Sequence, residues 1–315
     1  MKGGCAVRIV DYSEYKNEDQ RSLAIALGLF DGVHRGHREL IRLAAEVAKA
    51  KDLTPAVFTF RDGTGLKSEA KRIYPEDEKH RILSSLGIEL LIEADFSEIC
   101  NMTKDEFIRE ALVERFSASV AIEGADFRFG RGAEGNAEYL MAEAEKRGIE
   151  AIIVEMQSYT DEFGRRCEIS SSAIRALLEC GKVREAGELL GEAYHISGTV
   201  ERGRGVGKTL GYPTVNISLP KSSPLASGVY ETRVEIDGKL YTGLTNVGVC
   251  PTFAPREKHT ETYILDYEGD AYFENIRLDF IERVREERRF DTAEELGAEI
   301  AKNIEAVLGG ERWRR

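Results

Sequence analysis

Residues 23–37 read LAIALGLFDGVHRGH, from Leu23 to His37. The run opens with apolar residues over the length of a strand, turns at glycines, and ends where an amphipathic helical pattern begins near Gly36. A strand that is apolar at nearly every position is typical of a parallel sheet covered on both faces. We therefore expect a strand, a tight turn and a helix, the first repeat of a doubly wound α/β fold.

The same alternation continues to about residue 154. Four further short apolar runs follow at Ala56–Phe60, Ile88–Ile92, Ser119–Ile122 and Ile149–Val154. Between these runs, apolar residues recur at the 3.6-residue period of a helix, and Thr103 is a suitable cap for one such helix. Strands that alternate with helices predict a Rossmann-like N-terminal domain with a parallel sheet.

After about residue 195 the pattern changes to alternating strands separated by Gly and Pro. Val229–Ile236 alternates with period two, and Asp237-Gly238 has the composition of a two-residue hairpin turn. Strand-like runs at Thr262–Asp266 and Ile276–Phe280 precede a final helical pattern. We expect a small antiparallel β-barrel with a C-terminal helix.

The change of pattern divides the chain into two predicted domains. At 315 residues, the chain is long enough for two domains of roughly 100–200 residues each. We expect the α/β domain at residues 1–182, a helical linker at residues 183–194 and the barrel domain at residues 195–308.

The composition excludes several classes of function. Hydrophobic residues make up 42% of the chain and charged residues 32%, which is typical of a globular protein. A net charge of −12 disfavours binding to nucleic acid or to an anionic membrane, since both require clusters of Lys and Arg. No apolar run approaches the ~18 residues of a membrane span, and the five scattered cysteines fit reduced thiols. We expect a cytoplasmic protein with small-molecule ligands; the composition indicates no particular oligomeric state.

The turn after the first strand carries two histidines three residues apart, His34 and His37. Gly32 and Gly36 allow the backbone to turn sharply and to approach a ligand closely. The helix that follows offers unpaired N–H groups at its N-terminus, where phosphate groups bind. A lone histidine at a helix start is usually a cap or a packed residue, but this pair in this context favours a phosphate site.

A second candidate anion site begins a later helix. Ser170, Ser171 and Ser172 precede the apolar residues of that helix, and Arg175 follows one turn later. The hydroxyls can cap the free N–H groups or bind phosphate oxygens, and an arginine can pair with the same anion. Alone, this pattern indicates only a good helix cap.

Glycines and basic residues are concentrated between Gly198 and Lys208, in a chain that is acidic overall. Such a loop favours a polyphosphate, although a glycine-rich loop alone is most often a surface turn. Thr214 and Asn216 follow on one face of a strand, where a hydroxyl and an amide oxygen suit Mg²⁺ and the phosphates of ATP.

Together, the N-terminal motifs resemble the adenylyltransferase module of bacterial bifunctional FAD synthetases. The motifs are Gly28-x-Phe30-Asp31-Gly32-Val33-His34-x-Gly36-His37, Gly124-Ala125-Asp126-Phe127-Arg128-Phe129-Gly130 and Ser170-Ser171-Ser172-x-Ile174-Arg175. The resemblance implies a nucleotidyltransferase fold and attack of the FMN phosphate on the α-phosphate of ATP, with pyrophosphate leaving. It implies that His34 and His37 stabilise charge at the α-phosphate. It also implies that ATP contacts Gly28, Phe30, Asp31, Gly32, His34, His37, Asp126, Ser171, Ser172 and Arg175.

The C-terminal motifs resemble riboflavin kinase. They comprise the glycine loop, Pro213-Thr214-Val215-Asn216, Gly228-Val229-Tyr230, Asn246-Val247-Gly248 and Glu261-Thr262-Tyr263. The resemblance implies transfer of the γ-phosphoryl group of ATP to the 5′-hydroxyl of riboflavin, with Glu261 as general base and Mg²⁺ held by Thr214 and Asn216. It implies ATP contacts at Gly203, Gly205, Gly207, Lys208, Thr214 and Asn216.

The order of the two modules resembles that of bacterial bifunctional riboflavin kinase/FAD synthetase, which implies riboflavin, FMN, FAD and ATP as ligands. One departure is that residues 61–65, Arg-Asp-Gly-Thr-Gly, stand where the family has a His-Pro pair. An alternative is therefore a kinase whose adenylyltransferase is weakened or redirected to another acceptor. A second alternative is a non-catalytic flavin or nucleotide sensor, but the reactive groups of Glu261, His34 and His37 are all present.

Overall fold

The computed structural model of the chain describes residues 7–17, 21–61, 71–161, 163–202, 207, 211–249, 258–269 and 271–309. The chain forms two compact units. The first comprises residues 1–70 and 74–171, and the second comprises residues 71–73 and 172–315. Within these described ranges, each unit contains one six-stranded sheet.

The sheet of the first unit is parallel throughout. Its strands are β1 (Arg8–Asp11), β2 (Leu23–Leu27), β3 (Thr54–Phe60), β4 (Leu90–Ala94), β5 (Ala118–Gly124) and, after two short strands, β8 (Glu150–Val154). Their order across the sheet is β1-β4-β3-β2-β5-β8. Two antiparallel ribbons accompany it: β6 (Arg128–Phe129) with β7 (Gly135–Asn136), and β9 (Ser158–Thr160) with β10 (Arg166–Glu168). The predicted Rossmann-like parallel sheet is confirmed.

Helices connect these strands. They are α1 (Arg35–Lys51), α2 (Glu76–Ser85), α3 (Phe96–Ile99), α4 (Lys104–Glu106) and α5 (Ala137–Glu145). Thr103 caps α4 as predicted, because its hydroxyl accepts the Glu106 N–H at 3.2 Å while the Glu106 carboxylate accepts the Thr103 N–H at 2.8 Å. From Phe107 to Arg115 the helix continues as a π-helix, a local widening that the apolar period of the sequence did not reveal.

The strand order reverses between β2 and β5. From β2 the sheet grows in one direction through β3 and β4, and the chain then returns to place β5 on the other side of β2. In doubly wound sheets, ligands bind beyond the carboxyl ends of the strands at such a reversal. The residues that follow Leu27 in β2 and Gly124 in β5 therefore lie at the expected ligand site.

Strand β2 ends at Leu27, although the apolar run in the sequence continues to Leu29. The reason lies in the turn, where Phe30 has a φ of 50° and Gly32 a φ of 76°. Left-handed backbone cannot continue a strand, so the chain enters a 3₁₀ turn at Asp31–Val33. The side chains of β2 remain fully buried and anchor this turn to the sheet.

The second unit contains an antiparallel sheet that curls into a barrel. Its strands are β11 (His195–Thr199), β12 (Thr214–Ser218), β13 (Gly228–Ile236), β14 (Lys239–Val249), β15 (Lys258–Ile264) and β16 (Asn275–Arg285). Their order is β11-β16-β13-β14-β15-β12. A bridge between Glu201, just beyond β11, and Asn216 in β12 joins the two edges of the sheet. The predicted antiparallel barrel is confirmed.

The hairpin and the C-terminal helix of this unit also follow the sequence. β13 and β14 are joined by Asp237 and Gly238, whose φ values of 50° and 71° are those of the predicted two-residue turn. Helix α8 (Ala293–Gly309) packs Val307 against Val229 and Leu244 of the barrel. The helix therefore covers the face of β13 and β14 on which those two side chains lie.

In chain order, two helices lie between the sheets of the two units, α6 (Ser171–Glu179) and α7 (Val183–Leu190). They are separated at Gly181, whose φ is 75°. Cys100, Cys167 and Cys180 are free thiols, whereas Cys5 and Cys250 lie outside the described residues. Among the described residues, no helix combines the length and the apolar character needed to cross a membrane.

Candidate active sites

His34 and His37 form a stacked pair at the beginning of α1. His34 is the N-cap residue, and its Nδ1 accepts the main-chain N–H of His37 at 3.4 Å. The two imidazole rings are 3.6 Å apart between centroids and inclined by 18°, and the ring of Phe30 meets His37 edge-on at 5.2 Å. The capping bond and the stacking together fix both rings at the carboxyl end of β2.

Both imidazoles are held in the neutral form. Burial lowers the pKa of His34 to about 4, and burial together with the neighbouring His34 lowers the pKa of His37 well below its usual value. Because Nδ1 of His34 accepts a hydrogen bond, the single proton of its neutral ring lies on Nε2. The pair can therefore donate hydrogen bonds to phosphate oxygens, and a bound polyanion would raise both pKa values again.

The serine motif begins at the same turn. The hydroxyl of Ser171 donates to the main-chain carbonyl of Asp31 at 2.9 Å, across 140 residues of sequence. Asp31 is itself 9% exposed and lies within the turn between β2 and α1. Two motifs that are far apart in the sequence are thus joined directly.

Ser172 and Arg175 lie in the first turns of α6. The guanidinium of Arg175 donates to the hydroxyl of Ser172 at 3.1 Å. Ser172 is exposed and Arg175 is partly buried, so both side chains reach the helix surface near its N-terminus. This pairing orients the arginine along the helix on which the motif begins.

The end of β5 brings two carboxylates together. Asp126, which the sequence identifies, is exposed two residues after the strand, whereas Glu123 within the strand is completely buried. Neither carboxylate oxygen of Glu123 has a hydrogen-bond partner among the described residues. Burial, with the negative charge of Asp126 in addition, raises the pKa of Glu123 to about 8. Sequence analysis missed Glu123 because it occupies a position in an apolar strand pattern.

A further polar cluster lies at the carboxyl end of β4. His80 Nε2 is 2.9 Å from Glu93 Oε1, and Lys79 Nζ is 3.6 Å from the same oxygen. Burial acts to raise the pKa of Glu93, but the hydrogen bond of His80 and the charge of Lys79 lower it overall. Glu76 completes a set of possible metal ligands with His80 and Glu93. The ammonium group of Lys79 already neutralises this site, so it is a poor position for a cation.

The residues at the position of the expected His-Pro pair are only partly described. Arg61 forms ion pairs with Asp11 and Asp95. Residues 62–65 lie outside the described residues. The ion pairs hold Arg61 at the carboxyl ends of β1 and β4.

In the second unit, the predicted kinase residues form one row across three strands. Asn216 of β12 lies opposite Glu261 of β15, and Glu261 lies opposite Asn246 of β14. Thr214 occupies the same face of β12 two residues earlier and lies opposite Tyr263. The sequence identified Thr214, Asn216 and Glu261, whereas the place of Asn246 beside them becomes visible only from the strand register.

Two further polar side chains, those of His259 and Glu287, lie on or near the face that carries Glu261. His259, two residues earlier on the same face, has its Nε2 3.6 Å from Glu261 Oε1. The carboxylate of Glu287 lies over Gly248, since a Cβ at that glycine would be 2.6 Å from Glu287 Oε1 and 3.5 Å from Asn246 Nδ2. The face thus gathers carboxylates, amides and an imidazole beside the glycine loop. Nothing in the spacing of His259 or Glu287 distinguished them from surface residues.

The described end of the glycine loop packs directly onto this row. A Cβ on Gly207 would lie 2.3 Å from the carbonyl oxygen of Tyr212 and 3.3 Å from Thr214 Oγ1, so only glycine fits. Tyr212 donates its N–H to the Gly207 carbonyl at 2.8 Å. Gly203, Gly205 and Lys208 lie outside the described residues.

Two family models match the chain. One covers the histidine and serine motifs, and the other covers the glycine loop and the strands that follow it. The FAD synthetase family matches residues 16–172, and the riboflavin kinase family matches residues 190–309. The first match contains both histidines and Asp126, and the second contains Thr214, Asn216 and Glu261.

Curated relatives extend over nearly the whole chain. The bifunctional riboflavin kinase/FMN adenylyltransferase of Bacillus subtilis is 33% identical over 302 residues, covering 92% of this chain and 93% of the relative. The protein of the same description from Escherichia coli K12 is 32% identical over 290 residues, covering 90% and 91%. A crystal structure described as a macrolide-efflux protein from Streptococcus pneumoniae is also similar, with 30% identity and a TM-score of 0.81. That likeness covers 95% of this chain and 98% of the other.

Proposed function

The chain belongs to the family of bifunctional riboflavin kinase/FMN adenylyltransferases, and from this premise we propose how its residues divide the two reactions. The protein makes flavin cofactors from riboflavin and ATP in two steps. We assign FAD formation to a domain at residues 1–182 and riboflavin phosphorylation to a domain at residues 195–308, joined by residues 183–194. The cytoplasm, which supplies ATP and keeps thiols reduced, is the proposed location.

The row formed by Asn216, Glu261 and Asn246 is the observation that carries the kinase assignment. The 5′-hydroxyl of riboflavin attacks the γ-phosphorus of ATP, the bond to the bridging oxygen breaks, and ADP leaves. Glu261 accepts the hydroxyl proton as the new P–O bond forms, a role that requires a carboxylate beside the phosphate-binding residues. The register provides this proximity, because Glu261 is the direct neighbour of Asn216.

Magnesium fits the donor set on β12. The Thr214 hydroxyl and the Asn216 amide oxygen are hard oxygen ligands on one strand face, and we assign the metal to them. When bound, Mg²⁺ neutralises charge on the transferred phosphoryl group. Gly207, with Gly203, Gly205 and Lys208 from the sequence, provides the backbone N–H groups and the positive charge proposed to bind the remaining phosphates of ATP.

The histidine pair supports the assignment of FAD formation. A phosphate oxygen of FMN attacks the α-phosphorus of ATP, and the bond to pyrophosphate breaks. His34 and His37 donate hydrogen bonds to the α-phosphate as its charge increases. Gly28, Phe30, Asp31 and Gly32 form the turn that accommodates ATP, Asp126 approaches the nucleotide from β5, and Ser171, Ser172 and Arg175 bind the leaving pyrophosphate.

A single time course tests both assignments. Purified protein is incubated with riboflavin, ATP and Mg²⁺, and riboflavin, FMN and FAD are separated at intervals. We expect FMN to rise first and FAD to replace it. FMN that accumulates without any FAD would contradict the assignment of the first unit and leave the kinase intact. An absence of both FMN and FAD throughout the time course would contradict the assignment of the second.

A further inference from the structure

Three side chains hold alternate carbonyl groups of the turn between β2 and α1. The hydroxyl of Thr59 donates to the Leu29 carbonyl at 3.0 Å, and Nε of Arg38 donates to the Val33 carbonyl at 3.0 Å. Between them, the Asp31 carbonyl accepts the serine hydrogen bond described above. The three donors belong to β3, α1 and α6, so three separate elements fix this turn.

Thr59 is a buried polar residue in an otherwise apolar part of β3. Its side chain is completely buried near the carboxyl end of the strand, where a hydroxyl is costly unless it is hydrogen-bonded. The main-chain pairing of β2 with β3 reaches Gly28, whose N–H donates to the Phe58 carbonyl at 3.2 Å. The hydroxyl of Thr59 then adds the next bond, to Leu29. It therefore extends the contact between the two strands into the turn.

The bond to Leu29 also orients the N–H group that follows it. In a trans peptide, the carbonyl oxygen and the next N–H point in opposite directions within one plane, and no cis peptide occurs among the described residues. Because the Leu29 oxygen points to Thr59 on β3, the Phe30 N–H points away from β3. Since β3 and β5 lie on opposite sides of β2, this N–H faces the side on which the strand order reverses and ATP is proposed to bind.

Phe30 connects this peptide to the histidine pair. Its φ of 50° is a left-handed conformation that a bulky residue adopts where the surrounding structure enforces it. Its ring is completely buried and meets the ring of His37 edge-on at 5.2 Å, and His37 stacks on His34. A rotation of the peptide between Leu29 and Phe30 would therefore displace the Phe30 ring and both imidazoles.

We propose that Thr59 is a positioning residue for FAD formation, which holds the turn so that the Phe30 N–H and both imidazoles face the α-phosphate of ATP. The inference rests on the proposed roles of His34 and His37, and it adds a residue that acts through the turn rather than by contact with substrate. Correct placement of donors matters most as the charge on the α-phosphate increases during the reaction. Loss of the hydroxyl should therefore lower kcat more than it raises the KM for ATP.

Two pairs of side chains at position 59 isolate the hydroxyl. Thr and Val have similar shapes but differ in a hydroxyl, and Ser and Ala differ in the same group. We expect kcat for FAD formation from FMN and ATP to be ~10-fold lower in T59V than in the wild type, and ~10-fold lower in T59A than in T59S. The KM values for ATP and FMN should change by less than about 2-fold.

T54V is the matched control, because Thr54 is a half-buried residue at the opposite end of the same strand. It should leave kcat for FAD formation unchanged, and riboflavin phosphorylation, assigned to the other unit, should be unaffected in every variant.

The proposal is overturned if T59V has the kcat of the wild type, or if T59A has that of T59S, because the hydroxyl then has no effect on the reaction. If T59V does not fold, the comparison of T59S with T59A decides alone. Failure of the wild type to form FAD from FMN would instead contradict the assignment of FAD formation, so the two failures are distinguishable.

Discussion

The hydroxyl of Ser171 donates a hydrogen bond to the main-chain carbonyl of Asp31 at 2.9 Å. Ser171 begins α6, and Asp31 lies in the turn from β2 to α1. The bond ties the start of the serine motif to the turn that carries the stacked histidines. One proton of the motif is therefore committed to the fold.

Loss of this bond should weaken ATP binding at the first unit only. In S171A the Asp31 carbonyl loses a donor, at a cost of ~1 kcal/mol. We expect the KM for ATP in FAD formation to rise about 5-fold, while riboflavin phosphorylation is unaffected. Steady-state kinetics of each step, started separately from FMN or from riboflavin, measure this. Ser97→Ala, at an exposed position in α3 outside the motif, is the matched control for loss of a serine hydroxyl.

Replacement of Glu261 by glutamine should abolish phosphorylation and spare binding. Gln keeps the size and hydrogen-bonding capacity of the side chain but cannot accept the riboflavin proton. We expect kcat for FMN formation to fall by ~10²–10⁴, with riboflavin binding, measured by fluorescence quenching, retained. A turnover equal to that of the wild type would remove Glu261 from the role of base.

Replacement of His37 by alanine should stop the second reaction and leave the first. The neutral ring of His37 stacks on His34 at 3.6 Å, so its loss removes one phosphate donor and loosens the other. We expect FAD formation from FMN to fall by ~10²–10³ while FMN continues to accumulate from riboflavin. Simultaneous loss of both activities would argue against two independent sites.

Glu123 should make stability depend on pH in a defined direction. Its pKa in the folded state is raised to about 8 by burial, above the value in the unfolded chain. The folded state therefore binds more protons than the unfolded state at intermediate pH, so this group's contribution to stability decreases as pH rises toward 8. Above pH 8, Glu123 is an ionised carboxylate that is buried and has no hydrogen-bond partner among the described residues.

The E123Q variant isolates this contribution. Gln is neutral at every pH. At pH 8.5 we therefore expect the free energy of unfolding of E123Q to exceed that of the wild type by ~1–3 kcal/mol, and its unfolding temperature to be higher. At pH 4.5, where both side chains are neutral, the difference should become small. Thermal unfolding followed by circular dichroism across this range measures the effect. A difference that is independent of pH would show that Glu123 does not change protonation.

The sequence predicts the parallel sheet of the first unit and the antiparallel barrel of the second. Both predictions depend on short stretches of sequence, namely apolar strands and a hairpin turn. β2 is apolar at every position and is covered on both faces, and Asp237-Gly238 satisfies a turn that needs two positive φ values. The sequence did not reveal the π-helix at Phe107–Arg115. A π-helix shares the apolar spacing of an α-helix over one or two turns, so the apolar period does not separate the two.

Some residues of the candidate sites were likewise identified from the sequence, and others became visible only in the structure. His34 and Thr214 stand out because they belong to local motifs, whereas Glu261 was identified only through the resemblance to riboflavin kinase. Asn246 does not stand out, because its place beside Glu261 depends on strand register. Register arises when distant segments pair, which no local pattern encodes.

The bridge between Glu201 and Asn216 has a further consequence for the barrel. The residue proposed to bind the metal and phosphates on its side chain also uses its main-chain carbonyl to join the two edges of the sheet. Under that proposal, we expect nucleotide binding and closure of the barrel to stabilise each other. The amide hydrogen of Glu201 should then exchange with solvent more slowly as nucleotide occupancy rises. A single backbone proton thereby reports how often the barrel opens.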